Sequence, residues 1–227
     1  MSKPLVGVGD LASAASPEPP STCERCERLG KFRRANRDQY PEFFNAPVPS
    51  FGRDDCRLLV VGLAPGLKGA NRTGRPFTGD YAGDLLYATL AKFGFCLGEY
   101  AATADDGLKL QDAMITNAVR CVPPQNKPTP AEIRTCQSFL SFRIASLKKL
   151  RVILALGRIA HDSTVGALGL RHKDFGFGHG NRHEVGPNLV LFDSFHCSRY
   201  NTNTRRLTEE MFTDVFRQIR LALDTTR

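Results

Sequence analysis

The sequence predicts an α/β domain in which a mostly parallel sheet lies between layers of helices. Three observations carry this reading. Four short apolar runs rich in β-branched residues recur along the chain, helical patterns separate them, and glycine-rich or polar turns follow their carboxyl ends. The runs are residues 57–62 (RLLVVG), 113–119 (AMITNAV), 151–157 (RVILALG) and 189–195 (LVLFDSF). Unbroken apolar stretches of this length suit strands buried on both faces, so a central four-stranded sheet in a three-layer sandwich is expected.

Taken in order, residues 1–22 hold Pro4, Pro17, Pro19 and Pro20 among Ser, Ala and Gly and read as a flexible tail, with the domain spanning 23–227. The apolar stretch before Asp10 is too short for a signal-peptide core. Residues 23–37 carry six basic side chains (Arg25, Arg28, Lys31, Arg33, Arg34, Arg37) against two acids. After the first strand, residues 82–93 place Leu85, Leu86, Leu90 and Phe93 on one face and stop at Gly94, as a helix does. Thr129, Pro130 and Glu132 supply an N-cap, a proline at the first helical position and an acid three residues after the cap. Leu207, Met211, Val215 and Ile219 recur at spacing four and predict a closing amphipathic helix over 206–223.

Composition excludes several classes. The length of 227 residues suits one α/β domain with a tail, and 41% hydrophobic content supports a packed core. No apolar run approaches the roughly 18 residues of a membrane helix. Seven cysteines without a secretion signal argue against a disulfide scaffold and for metal binding or buried thiols. The balance of 31 Lys and Arg against 23 Asp and Glu, formally +8, invites a polyanionic partner.

Cys23 and Cys26 form a Cys-x2-Cys pair, and Cys121 and Cys136 enclose fourteen residues across a proline-rich loop. Four thiolates in two groups complete one tetrahedral zinc site or one 4Fe-4S site, and the spread second pair suits the bulkier cluster. Cys56, Cys96 and Cys197 each stand alone and read as plain thiols.

In an open α/β sheet, ligands bind beyond the carboxyl ends of the strands. The turns there are GLAPG, beginning with Gly62 and including Ala64, then Arg120 to Pro124, Gly157 to His161, and His196 with Cys197 and Ser198. Beyond GLAPG, a glycine-dense run offers Arg72 and Arg75 to phosphates, Phe77 to stack on a flat ring, and Asp80 either to cap a helix or to orient a water. Asn117 lies inside an apolar strand, where its amide must bond a neighbouring backbone group or a ligand edge. His196 ends a buried strand beside a polar run, whereas His161 reads as helix surface.

Together, the four cysteines, GLAPGLKGANRTGRPFTGD, NAVRCVPPQNKP and HCSRYNTNT, in this order, resemble the family 5 (type B) uracil-DNA glycosylases of the iron-sulfur branch. The match spans residue 23 to about residue 207. One departure is Cys197, where many relatives have proline. The resemblance implies the uracil-DNA glycosylase fold and a structural 4Fe-4S cluster on Cys23, Cys26, Cys121 and Cys136. It implies that Phe77 stacks on a flipped base, Asn117 reads its Watson-Crick edge and His196 hydrogen-bonds uracil O2. Asp80 and Asn126 would handle the attacking water, Gly62 and Ala64 would line the base, and Arg72, Ser198 and Asn201 would meet the DNA backbone. Leu67 and Lys68 follow Gly66, so no carboxylate stands where the related type A enzymes carry one. Arg199 or Tyr200 would fill the vacated stack. The implied partner is uracil-containing DNA, single- or double-stranded, with hypoxanthine and ethenocytosine as further bases, handled by a cytoplasmic monomer of bacterial or archaeal type. The rival expectations are a non-catalytic zinc-stabilised nucleic-acid-binding module and a nucleotide hydrolase. The first leaves Phe77, Asn117 and His196 without a task, and the second needs metal-binding carboxylates where only Asp80 and Asp84 are near.

Overall fold

The computed structural model describes residues 16–225. The chain begins with α1 (Glu27–Gln39), β1 (Phe51–Gly52), β2 (Leu58–Gly62), a single turn α2 (Ala70–Thr73), α3 (Tyr81–Lys92) and a small hairpin of β3 (Cys96–Leu97) and β4 (Lys109–Leu110). It continues through β5 (Ala113–Asn117), α4 (Pro130–Ser146), β6 (Val152–Leu156), α5 (Arg158–Ala167), β7 (Arg182–Gly186), β8 (Leu189–Ser194), a short α6 (Arg199–Asn203) and α7 (Glu209–Asp224).

The sheet order is β1-β5-β2-β6-β8-β7. Its four central strands, β5, β2, β6 and β8, run parallel and are the four apolar runs of the sequence. Two antiparallel edge strands, β1 and β7, extend the expected four-stranded sheet to six. Alternation along the strands sends side chains to opposite faces. Leu58, Val60, Ile115 and Leu154 pack with Leu86, Leu90, Phe212, Phe216 and Ile219 under α3 and α7. Leu59, Val61, Met114 and Ile153 pack with Leu140, Ile144 and Val165 under α4 and α5. Each fully buried Leu, Ile or Phe contributes about 1.5–3 kcal/mol relative to exposure, so these two layers dominate the fold's stability.

Helix starts follow the sequence. Thr129 and Glu132 form the reciprocal capping box, and Asp80 and Thr208 cap α3 and α7. By contrast, α1 was not evident from apolar spacing, because its buried face includes Arg33 and Asn36 beside Leu29 and Gly30. The expected tail also divides. Residues 1–15 lie outside the described residues, while Glu18 is held by Arg120 and Arg143, so the segment just before Cys23 is docked rather than free.

Two residues expected at the surface are interior. Arg75 is buried and pairs in a two-pronged bond with Asp106 at 2.7 and 2.6 Å, beneath the rings of Tyr87 and Phe51, and so cannot meet a phosphate. His161 is fully buried on α5 with Nδ1 at 2.6 Å from Asp193 and Nε2 at 2.9 Å from the Phe175 carbonyl. Both ring nitrogens therefore face acceptors, the arrangement of an imidazolium. Asp193 also bonds His183 at 3.2 Å.

Candidate active site and cysteine cavity

Strand register builds the cleft. Gly62 ends β2 directly beside Asn117 at the end of β5, and β8 delivers His196 two residues beyond its last paired residue. The cleft of about 350 Å³ is lined by Leu63, Ala64, Phe77, Asp80, Asn117, Asn126, His196 and Ser198, with Tyr81 and Arg199 at its rim. That volume accommodates a single heterocycle with its sugar.

Close packing fixes the aromatic floor. A Cβ added to Gly62 would sit 2.5 Å from Asn117 Oδ1 and 2.6 Å from the Phe77 ring, so only glycine lets the strand end lie against both. Phe77 itself has φ of 53°, a left-handed conformation that a bulky residue adopts only when its surroundings enforce it. The Tyr100 hydroxyl donates to its carbonyl at 3.2 Å, and Gly83 leaves room for that carbonyl. The Phe77 and His196 rings face each other at 5.8 Å with planes 25° apart.

Asp80 has both roles considered for it within reach. Its Oδ1 accepts from the Gly83 amide at the head of α3, while its Oδ2 lies against Gly66 and Gly69, where a Cβ would approach to 3.3 and 2.3 Å. Burial pushes its carboxyl above the ordinary value, partly offset by the helix amides. A carboxylate so placed accepts a proton more readily than an exposed one.

His196 is half-buried and Asn117 buried, and both line the cleft. Among the described residues, neither side chain has a hydrogen-bond partner in the protein. Burial pushes the His196 imidazole down to about 4, so it is neutral at physiological pH and keeps one N–H to donate. Local bonds hold its loop instead: Asn201 Nδ2 donates to the His196 carbonyl at 2.8 Å, and the Cys197 thiol donates to the Ala82 carbonyl at 3.4 Å. That bond ties the histidine loop to the first turn of α3, a task proline could not perform. Ser198 caps α6 by accepting from the Asn201 amide.

Not every expected residue reaches the cleft. Asn201 acts on the His196 backbone from outside it, Gly62 lies beneath it, and Arg72 is exposed on α2 with its Nε bonded to the Lys68 carbonyl. Asn126 reaches it from an exposed turn where it and Gln125 both have positive φ. Tyr81 was missed by sequence reasoning. It directly follows Asp80, bonds Thr202 at 3.1 Å and lies under the Arg199 guanidinium at 5.3 Å.

A second cavity gathers Cys23, Cys26, Cys121 and Cys136 with Pro19, Leu29, Val119 and Phe139. Cys26 caps α1, Cys136 sits on α4 and Cys121 lies beyond β5, so three separate chain segments meet there. Burial, with further repulsion between neighbouring sulfurs, pushes Cys26 up to about 11 and Cys121 up to about 12, and raises Cys136 likewise. Buried Arg33 donates to Cys121 Sγ at 3.3 Å and to the Cys23 carbonyl at 2.7 Å. The basic run around it is largely engaged: Arg28 binds Glu132, Arg34 binds Glu24 and Arg37 binds the Asn45 carbonyl.

A family model described as "Uracil DNA glycosylase superfamily" matches residues 49–220. The chain belongs to the uracil DNA glycosylase superfamily. Its superfamily relatives include a type-5 uracil-DNA glycosylase of Thermus thermophilus, 42% identical over 202 residues that cover 86% of this chain and 91% of that protein. A type-5 uracil-DNA glycosylase of Mycobacterium bovis is 42% identical over 87% of this chain and 77% of its own. A type-4 uracil-DNA glycosylase of Saccharolobus solfataricus is 29% identical over 85% of this chain and 80% of its own. As in the other observations, the uracil DNA glycosylase superfamily match covers both the cleft and the sheet that builds it. Among the described residues, no helix is long and apolar enough to cross a membrane.

Proposed function

We propose that this chain is a cytoplasmic, monomeric DNA repair enzyme that extrudes uracil from DNA and hydrolyses its N-glycosidic bond, leaving an abasic site. The observation that carries this reading is the cleft in which Phe77, Asn117, Asp80 and His196 converge, with buried Asn117 and half-buried His196 lacking side-chain partners among the described residues. A base within a duplex is out of reach, so it is flipped onto Phe77, where Asn117 meets its hydrogen-bonding edge. As the bond between C1′ and the base breaks, negative charge develops on the uracil and positive charge on the sugar. Neutral His196 donates its N–H to O2 of the departing base, which lowers the energy of the anion without full proton transfer. The Asp80 carboxylate stabilises the sugar cation and takes a proton from the water that attacks C1′, with Asn126 helping to hold that water. The hydroxyl of that water ends on C1′, and its proton is passed on to the departing base. Exposed Arg72 and Arg199 are the candidates to meet phosphates, and Tyr200, 71% exposed, to occupy the vacated stack. Hypoxanthine and ethenocytosine are further bases to assay beside uracil.

The four cysteines fit a 4Fe-4S cluster. The thiols of Cys26, Cys121 and Cys136 are costly to ionise where they stand, a cost that a cationic metal group offsets, and Arg33 adds a donor to the Cys121 sulfur. When bound, the cluster would supply a cross-link between α1, the loop after β5 and α4, with no part in the bond cleavage.

Incubation with uracil-containing duplex and single-stranded DNA, followed by alkali cleavage, tests the activity, and iron and zinc analysis tests the cluster. Strand breaks at uracil and a brown protein absorbing near about 400 nm are expected. Intact uracil strands would refute the glycosylase reading, and one zinc in a colourless protein would refute the cluster.

A further inference from the structure

The segment just ahead of Cys23 is bound far more firmly than its composition requires. Glu18 Oε2 lies 2.7 Å from Arg120 Nη1 and Oε1 lies 2.6 Å from Arg143 Nη2, and the Ser50 amide donates to Oε2 at 3.1 Å. Arg120 also donates to the Pro17 carbonyl at 3.3 Å. Burial works against the Glu18 charge, yet the two guanidiniums and the Ser50 side chain hold its carboxyl below the ordinary value.

Both arginines need this carboxylate. Arg120 is 1% exposed, with its Nε unpartnered, and Glu18 is its carboxylate. Arg143 is also buried with an unpartnered Nε, and its second carboxylate, Asp54, is largely exposed. A buried charge stripped of its partner costs several kcal/mol, so the segment is latched rather than draped.

The latch connects directly to the cysteines. Pro19, next to Glu18, lines their cavity, and the Pro20 carbonyl accepts from the Cys23 amide at 2.9 Å. Arg120 immediately precedes Cys121, so the ion pair that holds its side chain also anchors the backbone there. One carboxylate thus fixes a wall of the cavity and the backbone on which ligand sulfurs depend.

We propose that residues 17–20 form a clasp over the four-cysteine cavity, with Glu18 as its positioning residue, and that the clasp sets how fast chelators and oxidants reach the metal group held there. The inference rests on the cluster reading above for the identity of that group, but the clasp itself is a property of the cavity.

The test uses the purified, metal-loaded full chain. Glu18→Ala, Glu18→Gln and Pro19→Gly are mixed with EDTA and ferricyanide well below their melting temperatures, and loss of cluster absorbance is followed. Glu18→Ala should bleach about tenfold faster than the parent, as expected when a local opening becomes easier by about 1.4 kcal/mol. Glu18→Gln, which keeps the shape but not the charge, should also be faster. Pro19→Gly removes the wall without touching the ion pairs, so it carries the test if Glu18→Ala fails to fold. Bleaching at the parental rate in the folded Glu18 and Pro19 variants would overturn the clasp.

If the parent protein is colourless, the cluster reading fails separately, and the clasp is then read from thiols. Metal-free parent and variants are treated with DTNB, and modified cysteines are located by mass spectrometry. Faster reaction of Cys23, Cys26 and Cys136 in the variants, with Cys56 unchanged, supports the clasp; equal rates overturn it.

Discussion

Two histidines at opposite sides of the same sheet end show how differently burial acts. His196 is enclosed with no partner for its ring, and its pKa falls to about 4. His161 is enclosed more completely, yet Asp193 and the Phe175 carbonyl outweigh that burial and hold its pKa above the ordinary value. The first is left neutral with a donor to spare, and the second has both ring nitrogens engaged. The same contrast separates Asn117 from Arg75: the asparagine has no protein partner, whereas the arginine is saturated by Asp106 and Thr78. Two side chains that line the cleft keep their hydrogen-bonding capacity unspent, while Arg75 and His161 spend theirs within the protein. A buried polar group without a partner costs stability, so its survival points to a ligand that supplies the partner.

Substitutions sharpen that comparison, beginning in the cleft. Asp80→Asn retains a good N-cap, so its melting temperature should stay near the parental value while single-turnover uracil excision falls by about 10²–10⁴-fold. Normal excision in this variant would reduce Asp80 to a cap. His196→Ala should lower excision by roughly 10²–10³-fold, with little change in thermal unfolding. Because the active imidazole is already neutral, excision should show no inflection from His196 above about pH 5, since its value lies near 4.

On the partnered side, the readouts exchange. His161→Ala removes the 2.6 Å partner of buried Asp193, leaving it only His183 and the Gly178 amide, and should cost roughly 3 kcal/mol of stability in denaturant unfolding, with excision per folded molecule close to parental. A large loss of excision without a loss of stability would break the distinction between the two histidines. The pH dependence has a definite sign. With its folded value raised, His161 contributes stability fully below its unfolded value of about 6.5, and that contribution disappears as pH rises through the folded value. Melting curves from pH 5.5 to 9 should show the decline in the parent and lose it in His161→Ala.

What was legible in the sequence follows from how local the deciding interactions are. Strands β2, β5, β6 and β8 were evident because burial on both faces demands unbroken apolar runs. The capping box at Thr129 and Glu132 was evident because both partners sit within one helical turn. Edge strands β1 and β7 were not, since β1 has only two residues, β7 carries Arg182, His183 and Glu184, and both are specified by pairing with a neighbour. Arg75 read as a phosphate contact because its partner Asp106 lies 31 residues away, and His161 read as surface because Asp193 lies 32 away. The flexible-tail expectation failed at Glu18 for the same reason, its partners Arg120 and Arg143 being more than a hundred residues distant.

By itself, then, the sequence determined the parallel core, the main helix starts, the four cysteines and the residue types that meet at the strand ends, because each is written in short-range periodicity or in a motif. Tertiary structure decided the rest. It alone determined which polar groups are satisfied and which are left open, since a hydrogen bond depends on atoms brought within about 3 Å whatever their separation along the chain. That distinction made His161 a strut and left the His196 ring in the cleft without a protein partner among the described residues.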